Sequence, residues 1–368
     1  MDVNSLDPTA HILSTPPRGE YYIYTPMAAA LEGLTATHAA SIAIQGSATP
    51  EPQYPQHPAF RQTIVKTLVD MTADPATAQF YFDLLANAAV ECPMVLTLAA
   101  DRTNISICDK TDSASCPNSL AVARLSVSVP QNTQSSLVLN LKAANALLAQ
   151  TKVNVLEGAT LNMVLLQDGD QETQRLFTRT SVDIMANATL NLYVVNLNPA
   201  LARNEVEVKL HNEGAQLNMG GIYKVAKDQK VDNETLVEHL KGHTDSQQLF
   251  KGIAEENGVM AFGGLILVKP DAQKVNASQT NRHMLASAGA RAYAKPQLEI
   301  YADDVKCSHG ATTGQIDPMQ LFYMQQRGID EQTARQLLSA AFVAEVVDRI
   351  PDALADVREA LHQRLTNV

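Results

Sequence analysis

Glu157-Gly158-Ala159-Thr160-Leu161-Asn162-Met163 is followed 29 residues later by Ala186-Asn187-Ala188-Thr189-Leu190-Asn191-Leu192. A third copy, Glu213-Gly214-Ala215-Gln216-Leu217-Asn218-Met219, comes 27 residues after that. The shared core is A-x-L-N-[M/L], and self-similarity at a period of 20–50 residues marks a solenoid or a propeller. Within each copy the alternation is strict, with Ala159, Leu161 and Met163 on one face of a strand and Thr160 and Asn162 on the other. Each copy also follows a second alternating segment: Val153-Asn154-Val155, Val182-Asp183-Ile184 and Val206-Glu207-Val208. The unit is therefore strand, Gly/Asn turn, strand and a longer return. Propeller blades carry four strands and run about 40 residues or more, so 27–29 fits one coil of a parallel β-helix better. A β-sandwich is the alternative architecture for the same alternation. In a β-helix, Leu161, Leu190 and Leu217 stack in one buried column, and Asn162, Asn191 and Asn218 form a polar ladder.

Further alternating segments at Leu137–Leu141, Met260–Val268 and Leu298–Ile300 extend the β region to about residue 310. We read 91–316 as the β-helical core, 1–90 as a partly helical N-terminal cap or arm, and 317–368 as a helical domain. The N-terminal reading rests on prolines at 16, 17, 50, 52, 55 and 58 and on a helical pattern between Phe60 and Leu85 (Ile64, Val65, Leu68, Met71). At the other end, Asp317-Pro318 opens a capped helix that Gly328 should stop. Asp330 caps the next, with Glu331 and Arg335 ordered for an i, i+4 pair. Its apolar set is Ala334, Leu337, Leu338, Ala341, Phe342 and Val346, and past Ser339, through Ala340, Val343, Ala344 and Val347, it is apolar nearly all round, wider than one neighbour covers. It reads either as a cap packed on its own solenoid or as a partner-binding surface. Leu354, Val357, Leu361 and Leu365 stripe a third helix.

Bulk properties exclude several functions. With 28 basic and 39 acidic residues the 368-residue chain carries a net charge of −11, which disfavours nucleic acid and anionic membranes as partners. Aromatic residues make up 5%, and Trp is absent, against sugar or base stacking. Cys92, Cys108, Cys116 and Cys307 form no CxxC pair and no disulfide framework. With neither a signal peptide at Met1 nor an apolar run of about 20 residues, the expectation is a cytoplasmic protein. There is no phosphate-binding loop and no nucleophile elbow. Gly220-Gly221 and Gly263-Gly264 read as bulges or tight corners, and His239 and His243, with Gly242 between them, as an unsuitable ligand pair. Asp303-Asp304 reads as a turn rather than the paired carboxylates of a polysaccharide-cleaving enzyme.

The one stretch that combines a thiol with an imidazole is Val305-Lys306-Cys307-Ser308-His309-Gly310. On a strand, Cys307 and His309 share a face with Val305. Thiolate and imidazole suit zinc, copper and iron–sulfur clusters, but two ligands do not close a four-ligand site. A site here is shared with another chain or holds its ion transiently. Equally, Cys beside Val reads as a small buried hydrophobe, and His309 as a hydrogen-bonded structural residue.

Pro296–Ile300, Asp303–Thr312, Gly314–Asp317, Leu321–Tyr323 and Arg327–Ile329, with Phe262–Gly264 and Asp271–Asn281 upstream, resemble the SufB/SufD family of iron–sulfur cluster assembly proteins over about residues 150–345. Glu20–Thr25 is faintly similar to the family's N-terminal tyrosine-containing motif. The resemblance implies a right-handed parallel β-helix with helical ends and no catalytic activity of its own. Gly310, where the SufB branch carries an acidic residue, points to the SufD branch. Implied partners are SufB, through the β-helices near His309, and the SufC ATPase, through the C-terminal helices. That makes Leu337, Leu338, Phe342 and Val346 the candidate partner-binding residues. His309 and Cys307 become candidate ligands of a transient iron–sulfur cluster shared with SufB, with a reduced flavin a further expectation for the complex. Rival readings are a purely structural solenoid and a β-helical carbohydrate enzyme.

Overall fold

The computed structural model describes residues 36–46, 49–50, 93–108, 119–143, 145–168 and 174–366. The helical pattern of 60–85, the Glu20–Thr25 segment, Cys92 and Cys116 lie outside them. In chain order, the described residues form short strands β1 (Ala36–Ala39), β2 (Ser41–Gly46), β3 (Thr49–Pro50), β4 (Met94–Thr97) and β5 (Arg102–Cys108). Longer strands follow: β6 (Ser119–Val129), β7 (Gln134–Lys142), β8 (Ala146–Val155), β9 (Thr160–Asp168), β10 (Arg175–Ile184), β11 (Thr189–Leu197) and β12 (Leu201–Leu210). The series ends with β13 (Gln216–Val225), β14 (Lys230–His239), β15 (Asp245–Ala254), β16 (Val259–Val268), β17 (Asn276–Leu285), β18 (Arg291–Ile300) and β19 (Lys306–Gln315). Even-numbered strands from β4 to β18 form one sheet and odd-numbered strands from β5 to β19 the other, each strand pairing with the strand two before it. Those ladders are parallel; β2 and β3 add antiparallel to β5 and β4 at the N-terminal end. The chain is a parallel β-solenoid of about seven turns.

The repeat read from the sequence is the coil. Leu161, Leu190 and Leu217 are Cα partners across β9, β11 and β13 and are at most 1% exposed. The asparagines beside them form the ladder: Asn218 Nδ2 donates to Asn191 Oδ1 at 2.9 Å, and Asn191 Nδ2 to Asn162 Oδ1 at 2.8 Å. The chain crosses from one sheet to the other at residues in the left-handed region: Gly158 (φ 66°), Asn187 (φ 54°), Gly214 (φ 74°), His243 (φ 52°) and Lys274 (φ 63°). Gly and Asn adopt that conformation at least cost, which is why they recur one residue ahead of the shared alanine. His243 is thus a turn residue.

Two sequence expectations need correction. Val206–Val208 is not the equivalent of Val182–Ile184: the ladder pairs Val208 with Val182 and Leu210 with Ile184. The slip is two residues, so inside and outside are unchanged. The Gly-Gly pairs are neither bulges nor corners but sit within β13 and β16, where larger side chains from neighbouring elements fill the space. A Cβ on Gly221 would lie 2.0 Å from the Phe250 ring, and one on Gly220 would lie 2.9 Å from Val346.

Three helices follow the last strand: α1 (Pro318–Gln326), α2 (Glu331–Val347) and, after a short 3-10 turn at Asp352–Leu354, α3 (Ala355–Thr366). Asp317 accepts from the Met319 N–H and Asp330 from the Thr333 N–H as N-caps, and Gly328 (φ 82°) ends α1. Val343, Val346, Val347, Ile350, Leu354, Leu361 and Leu365 pack on Val164, Tyr193, Val195, Ile222, Leu249 and Ile253. These last six lie on the outer face of the odd-numbered sheet. The Tyr193 hydroxyl donates to the Arg349 carbonyl, and burial pushes its pKa up to about 12.

Toward the C-terminal end the interior becomes polar. His239 is fully buried, its ring nitrogens 2.7 and 2.9 Å from the Thr244 and Ser246 hydroxyls. Asn281 Nδ2 donates to the Tyr223 oxygen at 2.7 Å, and the Tyr223 hydroxyl shares a hydrogen bond with His283 Nε2 at 2.5 Å. Burial pushes both histidines down to about 4. The unfolded chain, with histidines near 6.5, binds more protons below that value. The neutral imidazoles therefore contribute full stability above pH 6.5, lost as pH falls toward 4, by roughly 3 kcal/mol per histidine. We expect the urea midpoint to drop between pH 7 and pH 4.5, and to drop less in a His239→Gln/His283→Gln variant. An equal drop in the variant would show that other groups govern the acid limb.

Candidate functional site at the open end of the solenoid

The last coil ends in two edge strands. No described strand pairs with the outer side of β18 or β19. β19 is exposed at every residue but the half-buried Cys307, and no residue of β18 is fully buried. An uncovered ten-residue edge presents a row of free backbone donors and acceptors, a template for another chain. The corner between the strands is tied to the preceding turn by one ion pair and one hydrogen bond. Lys274 pairs with Asp304 there, and Asp304 N–H donates to Gln273 Oε1 at 2.9 Å. The Asp303-Asp304 pair is a bend.

β19 carries Cys307 and His309 with the alternation expected of them. Cys307 is the Cα partner of Ala277 and His309 that of Gln279, both of which point into the interior. The two candidate ligands thus project on the inward side of the last coil, at its mouth. Their environments differ. Cys307 packs against Ile266, Val275, Ala277 and Ala302, and that burial pushes its thiol pKa up, partly offset by a backbone hydrogen bond with Ala277. His309 is exposed. Among the described residues no group of three or more His, Cys, Asp or Glu side chains gathers as a metal site. One accessible imidazole and one thiol held in its protonated form therefore share the inward side of the last coil.

The other candidates separate. Val346 is 1% exposed and Phe342 half-buried, so both belong at least in part to the face that α2 lays on the solenoid. Lys251 lies 4.9 Å from the Phe342 ring centre, donates to the Phe342 carbonyl at 2.7 Å and pairs with Glu345 at 2.6 Å. Leu337 is exposed and Leu338 half-buried. Sequence reasoning placed α1 between Asp317 and Gly328 but missed its surface: the helix has no buried residue and exposes Met319 (70%), Phe322 (54%) and Tyr323 (60%). Three large apolar side chains within one turn and a half, on a helix too short to bury them all, are the signal that was there. A groove of about 460 Å³ runs between α1–α2 and the ends of β17 and β19, lined by Met284, Thr313, Gln315, Leu338 and Phe342.

Among the described residues no helix is long and apolar enough to cross a membrane. Residues 111–342 match the family model described as "SUF system FeS cluster assembly, SufBD core domain". The chain is 42% identical to iron–sulfur cluster assembly protein SufD of Escherichia coli K12 over 156 residues, which are 42% of this chain and 37% of that protein. It is 37% identical to a SufBD family protein of Synechocystis over 169 residues, 46% of the chain and 37% of the relative. With SufD of Bacillus subtilis it shares 33% over 128 residues, 34% and 29% of the two chains. These matches span well under half of each relative. Similarity to two SufD proteins agrees with the branch that Gly310 suggested. A family model covering more than half of the sequence, on a solenoid whose last strand carries the Lys306–Gly310 motif, establishes that the chain belongs to the SufBD family of the SUF iron–sulfur cluster assembly system.

Proposed function

We propose that this chain serves as the SufD-type scaffold subunit of an iron–sulfur assembly complex and has no catalytic activity itself. It pairs with SufB through the β18–β19 end and binds the SufC ATPase through α1 and the exposed side of α2. The observation that carries this reading is β19: an uncovered edge strand that presents His309 and Cys307 at the mouth of the solenoid. Pairing there would satisfy the free backbone groups and bring a partner's ligands within reach of His309. The nascent cluster is cargo, and an exposed neutral imidazole suits cargo because it ligates and exchanges. The test is co-purification with tagged SufB and SufC from the native host. Recovery of a three-component complex supports the reading, and a chain that elutes alone while SufB and SufC associate contradicts it.

The surface proposed for SufC is the exposed part of α1 and α2. Of the residues proposed from sequence, Leu337 and Leu338 remain at the surface, joined by Met319 and Phe322, whereas Val346 faces inward. Burying a charge in an apolar interface costs several kcal/mol. We therefore expect Phe322→Asp to weaken SufC binding by two orders of magnitude or more, about 3 kcal/mol, with unchanged circular dichroism. Calorimetric titration checks it, and full affinity in the folded variant would place SufC elsewhere.

A further inference from the structure

One interior column changes character along the solenoid. Met163, Leu192 and Met219 occupy it in three successive coils, then Gln248, Gln279 and His309, each the Cα partner of the one before. Gln248 and Gln279 are 3% and 1% exposed, where the earlier coils show that Leu or Met fits. Thr235 Oγ1 donates to Gln248 Oε1 at 3.2 Å, and Gln279 Nε2 donates to the same oxygen at 3.3 Å. That bond turns the Gln279 nitrogen toward Gln248 and leaves Gln279 Oε1 a buried acceptor with no partner among the described residues. An orphan acceptor in a site that accommodates an apolar side chain costs stability and calls for a reason. Space has also been made for this amide: a Cβ on Gly264 would lie 2.3 Å from Gln279 Nε2 and 2.8 Å from its Cδ. The next residue in the column is His309, one strand spacing of about 4.8 Å away, a gap that an amide and an imidazole bridge.

We propose that Gln279 is a positioning residue for His309. Its Oε1 accepts a hydrogen bond from one ring N–H, fixing the tautomer whose other nitrogen carries a lone pair toward the open end. Ligating histidines ordinarily hold their second nitrogen this way, which sets ring orientation and raises ligand basicity. Gln248 and Thr235 orient the amide, and Gly264 makes room for it. The inference rests on the reading of His309 as a ligand, but its hydrogen bond is testable without any cluster.

The experiment uses the full-length chain labelled with ¹⁵N-histidine at a pH where imidazoles are neutral, with the His309 signals assigned by their loss in His309→Ala. In the wild type we expect one His309 tautomer to exceed the other by on the order of tenfold. Gln279→Leu, which the Leu192 level shows the column accommodates, should return the ratio to that of a free imidazole. Gly264→Ala, which displaces the amide without removing it, should shift the ratio in the same direction. A free-imidazole ratio in the wild type overturns the proposal without any variant, and so does a wild-type ratio in folded Gln279→Leu. Iron content of the His309→Ala complex reads the ligand role separately. An unchanged tautomer with lost iron retires Gln279 alone, and an ordered tautomer with retained iron retires the ligand role alone.

Discussion

Val346→Asp will detach the C-terminal helices from the solenoid. Val346 is 1% exposed, belongs to the apolar cluster shared by α2, α3 and the outer face of the odd-numbered sheet, and sits over Gly220. Among the described residues the cations bordering that contact are already engaged: Lys251 with Glu345 and the Phe342 carbonyl, and Arg349 with Glu345. An aspartate there is a buried unpaired charge, which costs on the order of 4 kcal/mol or more, a large fraction of the stability of a helical layer. The solenoid does not share the damage, because its coils are held by their own ladders and a separate interior core. The expected result is a partial loss of helical circular dichroism with the β signal kept, and proteolysis beginning after β19. A Leu337→Asp variant should keep both signals, since Leu337 is exposed. Equal behaviour of the two variants would mean that α2 is held differently.

His309→Ala will leave the fold and the complex intact but deplete the complex of cluster. The side chain is exposed, so truncation removes little packing. If the imidazole is a ligand, its loss removes a bond that the neighbouring residues do not replace, and iron and sulfide in the purified complex should fall about tenfold or more, as for loss of a ligand or its support. Cys307→Ala should be milder. Burial holds that thiol protonated, it packs as a small apolar group, and alanine nearly fills its place. Unchanged iron content in His309→Ala would refute the ligand role. Lost iron together with a melting temperature lowered by many degrees would leave a structural role for His309.

The solenoid was legible because three successive coils write the same constraint into the chain 27–29 residues apart: a left-handed turn residue, a small alanine, a stacked leucine and a ladder asparagine. The shared face of Cys307 and His309 was legible for a simpler reason, the two-residue period of a strand. What escaped depends on partners distant in sequence. A two-residue slip preserves inside and outside, so alternation could not register Val206 against its neighbours. Gly221 and Gly264 accommodate Phe250 and Gln279, 29 and 15 residues away, and within one strand each glycine pair looks like an interruption. α2 is apolar nearly all round past Ser339, so only its docking on β13 and β15 shows that Val346 faces in and Leu337 out. The caps of α1 could be read from Asp317-Pro318 and Gly328, but that α1 buries nothing is a tertiary fact.

The account stands on the open end of the solenoid as the place where this chain meets its partner. Half of the β19 amides point away from β17 and have no acceptor among the described strands, so in the isolated chain they should exchange with solvent at nearly unprotected rates. Hydrogen exchange of the β19 amides, with and without SufB, reads this edge directly. The account predicts that these amides become protected by two orders of magnitude or more, about 3 kcal/mol, when SufB is added, while the amides of β5 and β7 do not change. A stable complex in which β19 exchanges as fast as before would contradict it.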